Sequence, residues 1–225
     1  MKLKKGFTLI ELMVSFAIMA IVSTVIIYNH QKFNDNLEIT NLSYEVALAL
    51  RQAQVYGVSV RDFKEGGVST SEENRFSTPY GIHFGATASG KNKDNTSFIF
   101  FADVNKDGKY SASADTVLQK TDIGRGNYVY ALCNQENSAW YCDLGNPVKR
   151  DKLDITFVRP EPDARFKFSS GTDPKTVRVC LKSPQGRVKE VAVYSTGQIS
   201  VIDGDCVGLS EVDEIDTGDI GVGNQ

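Results

Sequence analysis

The feature that most constrains this chain is an apolar run near its amino terminus, Phe7 to Tyr28, in which Glu11 is the only charged residue. A run of that length, at about 1.5 Å rise per residue, makes roughly 33 Å of helix, enough to cross a bilayer core of about 30 Å. A carboxylate near the end of such a span is costly and calls for a partner, which makes Glu11 a functional residue by default. Lys2, Lys4 and Lys5 precede the run. Positive charge on that side orients a single-pass segment with its amino terminus in the cytoplasm and the remainder outside. A secretory signal also has a basic start and an apolar core, but its core is shorter, and no clear A-x-A site follows Tyr28.

Lys4-Lys5-Gly6-Phe7-Thr8-Leu9-Ile10-Glu11 resembles the processing site of type IV pilins and of the pseudopilins of type II secretion. The resemblance implies a structural subunit, not an enzyme. A prepilin peptidase would cut between Gly6 and Phe7 on the cytoplasmic face and methylate Phe7. Residues 1–6 would be the leader and 7–28 the transmembrane and assembly helix. Before assembly the partner would be inner-membrane lipid, and afterwards other pilin or pseudopilin subunits in a periplasmic or extracellular helical fibre. Glu11 matches the glutamate fifth in the mature chain. Its charge would face the terminal ammonium of a neighbouring subunit, so that two buried charges become a pair.

No glycine or proline stands between Gly6 and Gly57, so a single helix is expected from Phe7 to about Tyr56. Its second half, the stalk of residues 29–57, turns polar. It keeps Leu42, Val46, Ala49, Ala53 and Tyr56 at helical spacing, one face for a globular domain. Gly57 reads as the stop. A polar loop over 58–78 precedes strands at Tyr80–Phe84, Ser97–Phe101, Tyr128–Cys133, Leu153–Val158, Phe166–Phe168, Thr176–Leu181, Lys189–Tyr194 and Gln198–Ile202. All six prolines lie beyond residue 78. The expected fold is α+β: a long amino-terminal helix packed on an antiparallel β-sheet head (58–206), as in pilins. The acidic tail 207–225, with five acids and no base, reads as solvated. Tyr194-Ser195-Thr196-Gly197-Gln198-Ile199 resembles the closing strand pair of H-type pseudopilins and T-type minor pilins, with Gln198 where arginine is usual. Phe100-Phe101-Ala102-Asp103 points to the same subgroup.

Cys133, Cys142, Cys180 and Cys206 are even in number, lie on the exported side and form no C-x-x-C motif. Two disulfides follow, Cys133–Cys142 and Cys180–Cys206 by proximity, although four cysteines allow three connectivities. His30 and His83 are too far along the chain from them to suggest a zinc site. Without the leader lysines the net charge of −3 becomes about −6, which argues against a surface that coats nucleic acid.

Two motifs remain open. Asp103-Val104-Asn105-Lys106-Asp107-Gly108-Lys109 places oxygen ligands at positions 1, 3 and 5 with glycine at 6, the opening of a calcium loop, and the Lys109 carbonyl follows as the next ligand. The acid expected at position 12 is Ala114, and Asp115 comes one place late. The other reading of the same residues is a tight turn between strands. Arg178, Lys182, Arg187 and Lys189 cluster around the Ser183–Gly186 turn. They fit either phosphate contacts of a DNA-binding minor pilin or the charged edge of a solvated hairpin. A membrane-anchored adhesin or periplasmic domain that never enters a fibre is the further alternative. No Ser-His-Asp or Cys-His spacing stands out.

Overall fold

The structure, a computed structural model, describes residues 6–59, 77–86, 94–136, 139–142, 151–169, 174–204 and 206. The leader up to residue 5, most of the 58–78 loop and the tail from 207 lie outside the described residues, as does the side chain of His30.

One helix, α1 (Leu9–Val58), runs for 50 residues, about 75 Å at 1.5 Å per residue. Its segment Leu9–Ile27 is long and apolar enough to cross a membrane and has no part buried against the rest of the chain. Within that span Ser15 donates its hydroxyl to the Glu11 carbonyl and Thr24 to that of Ala20, at 2.7 and 2.8 Å. Those bonds satisfy two polar groups that lipid would leave without a partner. Further along, Ile39, Leu42, Val46, Leu50 and Ala53 are buried at steps of three and four residues, and Ala49 and Tyr56 pack beside them. The helix does not stop at Gly57. It continues to Val58 and is capped at Ser59. Gly57 answers a different demand, since a Cβ there would stand 2.5 Å from the Phe157 carbonyl oxygen.

The head is two five-stranded antiparallel sheets where one was expected. The first carries β1 (Tyr80–Gly85), β2 (Ser97–Ala102), β3 (Thr116–Asp122), β6 (Lys152–Phe157) and β7 (Ala164–Phe168) in the order β3-β2-β1-β6-β7. The second carries β4 (Tyr128–Glu136), β5 (Ala139–Cys142), β8 (Thr176–Lys182), β9 (Val188–Tyr194) and β10 (Ile199–Ile202) in the order β10-β9-β8-β4-β5. The chain visits the first sheet, crosses to the second, returns for β6 and β7, and ends in the β8–β10 meander. Strands β3 and β5 carry no alternating apolar signal: β3 is a largely exposed edge and β5 is four residues long.

Both sheets and the stalk half of α1 share one core. Ile82, Phe84, Phe98, Phe100, Ile155, Phe157 and Phe166 come from the first sheet, and Val129, Leu132, Val177, Val179, Leu181, Val191 and Val193 from the second. Tyr56 joins them, its ring 5.7 Å from that of Tyr80 and 5.3 Å from that of Phe100. Fully burying such aliphatic and aromatic side chains is worth about 1.5–3 kcal/mol each, so the stalk is held by its stripe more than by any polar contact. Along β8, Val177, Val179 and Leu181 face that core, and the other face is used too. Cys180 is buried there with Ala131, Cys133 and Cys206 in a second, smaller cluster.

Polar contacts then fix how α1 lies on the head. Gln54 donates to the carbonyls of Pro162 and Gly197 at 3.0 and 2.9 Å, and Arg51 to that of Ile199 at 3.3 Å. Higher on the helix, buried Asp35 accepts the Ser183 hydroxyl at 2.7 Å, and Arg125 pairs with Glu38 at 2.5 Å. Gly197 has φ +81°, and a Cβ there would fall 2.1 Å from the Pro162 oxygen and 2.5 Å from Gln54 Nε2. The Thr196-Gly197-Gln198 turn is thus the point at which β9–β10, the β6–β7 loop and the helix meet.

Candidate processing and assembly site

Gly6 and Phe7 precede the helix in chain outside any regular element, and Phe7 is 80% exposed. A Cβ on Gly6 would meet nothing within 4 Å. The fold itself therefore has no steric need for glycine at this position. Thr8 is the N-cap, with extended backbone, and Glu11 completes a capping box. The Thr8 amide and hydroxyl donate to Glu11 Oε2 at 3.1 and 2.9 Å, and the Glu11 amide donates to Thr8 Oγ1 at 3.3 Å. The local reason is general: the first amides of a helix lack acceptors, and a hydroxyl with a carboxylate three residues on supplies them. Glu11 thus starts the helix within its own chain, a role that its motif position alone did not suggest. The Thr-x-x-Glu spacing, Thr8 to Glu11, is the signal that would have found it.

The cysteines form two bonds, Cys133–Cys142 and Cys180–Cys206, with Cα atoms 4.1 and 6.0 Å apart. The two disulfides touch, since Cys133 Sγ lies 3.6 Å from Cys180 Sγ. Cys133 and Cys142 face each other across the β4–β5 register.

The four basic residues of the β8–β9 hairpin are all engaged. Arg178 pairs with buried Glu190 at 2.9 Å, a charge contact without hydrogen-bond alignment, and its guanidinium lies 3.6 Å from the centre of the Trp140 ring. Glu190 also accepts the Cys206 amide at 2.8 Å. Lys182 sits 4.2 Å over the Tyr130 ring, Arg187 Nε is 3.8 Å from Asp35, and Lys189 pairs with Asp203. Trp140 packs against the smaller cluster while Tyr141 is exposed. His83, on β1, faces Asp154 across the β1–β6 register with Nδ1 2.6 Å from Oδ1. That partner comes from the β1–β6 register, 71 positions along the chain, which no local pattern encodes.

The acidic segment is the β2–β3 connection. Asp103 Oδ2 accepts the Gly108 amide at 2.9 Å, Asn105 Oδ1 that of Asp107 at 3.2 Å, and Asp107 Oδ1 that of Lys109 at 2.7 Å. Asp115 takes the Val104 and Ser111 amides at 3.0 and 2.7 Å, tying the end of the loop to its start. Burial pushes Asp103 up to about 6, with the Asp115 and Asp107 charges adding to the rise while the Gly108 and Lys106 amides oppose it. Burial likewise raises Asp115. Among the described residues no group of three His, Cys, Asp or Glu side chains is spaced to hold a metal ion.

Comparison with known proteins isolates the amino terminus. Residues 1–27 match the family model of the prokaryotic N-terminal methylation motif. No curated protein and no solved structure matches the chain. That motif implies processing by a prepilin peptidase and assembly with other subunits, and it marks a structural protein. The match covers residues 1–27 alone: over that stretch the chain is similar to type IV pilins and pseudopilins, and an apolar helix and two antiparallel sheets stand with it.

Proposed function

We propose that the chain is a minor pilin or pseudopilin, held in the inner membrane through Phe7–Tyr28 with its head outside. It is cut between Gly6 and Phe7, methylated on Phe7 and drawn into a helical fibre. The observation that carries this reading is the state of the Gly6–Phe7 bond, exposed and ahead of a capped helix. A peptidase needs backbone outside a helix to reach a scissile bond. Because nothing inside the fold requires glycine at residue 6, a requirement for it belongs to the enzyme.

Glu11 has a double duty in this scheme. It caps its own helix through Thr8, and a carboxylate has lone pairs beyond those two bonds, so it retains capacity for the Phe7 ammonium of a neighbour. The stalk supports assembly as well. Leu37, Tyr44, Leu48 and Val55 recur at steps of seven, four and seven residues and stay exposed, a narrow apolar seam of the kind that packs on another helix.

The test is to incubate the full precursor with prepilin peptidase and sequence its new amino terminus. N-methylated Phe7 is expected first, and any other first residue overturns the cleavage assignment. A Glu11→Ala chain should be cleaved yet be depleted from sheared fibres. Normal incorporation would sink the pairing argument.

A further inference from the structure

The exposed face of α1 keeps a heptad phase along the stalk. Leu37 and Tyr44 stand at d positions, and Asn41, Leu48 and Val55 at a positions. The same phase runs back into the membrane span, with Ile27 and Ala20 at a and Ser23 and Phe16 at d. All of these side chains are exposed. Arg51, the d position between Leu48 and Val55, is turned aside to the Ile199 carbonyl at 3.3 Å.

The head leaves this face open. Ile39, Leu42, Val46, Leu50 and Ala53, which bury the stalk in the head, all fall at b, c or f, the positions that point away from a coiled-coil partner. Along the flank of the stripe the first sheet stands off the helix. A groove of about 340 Å³ lies there between Tyr44, Leu48 and Gln52 on one side and Phe98, Phe100 and Gln119 on the other. One helix can therefore carry the head on one side and a second helix on the opposite side.

A bilayer fixes the alignment of such a second helix. Copies that span one membrane through Leu9–Ile27 point the same way and sit at the same depth, so like residues stand at the same height. We propose that two copies of this chain pair in the membrane, before any fibre forms, as a parallel, in-register helix pair along this stripe. The pairing rests on the membrane anchoring proposed above and not on cleavage at Gly6. β-Branched Ile27 and Val55 at a, with Leu37 at d, favour two strands. Asn41 meets its own counterpart, and because an amide both donates and accepts, the two satisfy each other when the helices are in register. In a parallel pair each g residue lies against the next e residue of the other copy. That sets Thr40 against Glu45 and Ala47 against Gln52, with no like charges opposed. Within the bilayer, Ala20 and Ser23 let the two backbones approach closely. An identical copy meets all these demands at the same height without further design.

The experiment places single cysteines in the full chain, in membranes without prepilin peptidase, so that no fibre forms. The four native cysteines are held in disulfides, which leaves the added thiol as the reporter. A bond between two copies at one position needs Cα atoms within about 7 Å, so it reports in-register contact. After mild oxidation, Leu37→Cys, Tyr44→Cys and Leu48→Cys should each give a product of twice the chain mass. Its share should be at least about fivefold that from Asn36→Cys, an exposed c position facing away from the stripe. Tyr44→Lys/Leu48→Lys should remove the Leu37→Cys product and leave head unfolding unchanged. Equal products at all four positions, no product on the stripe, a product of another mass, or one that survives the double lysine variant overturns the pairing. Alkaline carbonate extraction separates the two readings: a chain released by it overturns the anchoring and the pairing together, whereas a chain retained without stripe-specific products overturns the pairing alone.

Discussion

At the scale of single residues, the glycines separate structural from external demands. Gly197 combines positive φ with a Cβ position occupied by the Pro162 oxygen and the Gln54 amide, so Gly197→Ala should cost at least about 2 kcal/mol. Denaturant unfolding of the detergent-solubilised chain, followed through its single tryptophan Trp140, measures this. Gly6→Ala, by contrast, should leave unfolding unchanged within about 0.5 kcal/mol, whatever it does to cleavage. Gly6 was legible as a special position only through its neighbours in the motif. Gly197 was legible as a turn, but the contacts that make it irreplaceable come from residues 35 and 143 positions away along the chain, and no local pattern encodes them. The same holds for Arg178. Its charge was plain in the sequence, yet its pairing with Glu190 and stacking on Trp140 depend on how β5, β8 and β9 lie side by side.

At the scale of elements, α1 has two apolar surfaces with different uses. Leu50 is fully buried in the core, and Leu48 two residues earlier is 66% exposed. Leu50→Ala should destabilise the head by about 2–5 kcal/mol. Leu48→Ala should change head stability by less than about 0.5 kcal/mol while lowering the share of the chain found in sheared fibres. Unchanged fibre content for Leu48→Ala counts against the outward seam as a packing surface. The helix and the strands with alternating or continuous apolar residues were readable because burial imposes a period on them. Strand β3 was not, since an edge with one solvated face and little buried side chain imposes none, and β5 is too short to show a period. The division into two sheets was also hidden, because a crossing from β3 to β4 and back to β6 leaves no mark beyond turns of ordinary composition.

At the scale of the molecule, the two disulfides close the head on the side away from the shared core. Cys180–Cys206 closes a 26-residue separation, and removing it with Cys180→Ala/Cys206→Ser should cost about 3 kcal/mol, measured by the same unfolding assay. A lone Cys206→Ser should do more than that. It frees the Cys180 thiol 3.6 Å from Cys133 Sγ, so exchange should yield Cys133–Cys180 with Cys142 reduced, detectable by peptide mapping under non-reducing conditions. Retention of Cys133–Cys142 in that variant counts against the exchange route. The attachment of α1 to the head has a mechanical meaning. The buried stripe from Ile39 to Ala53 and the bonds of Arg51 and Gln54 to Ile199, Pro162 and Gly197 lie side by side along one helix. A pull along the helix axis loads all of them together, in shear. The head would then follow the helix under tension as one body, and the weakest point under such a load would be the segment Leu9–Ile27, which is not buried among the described residues.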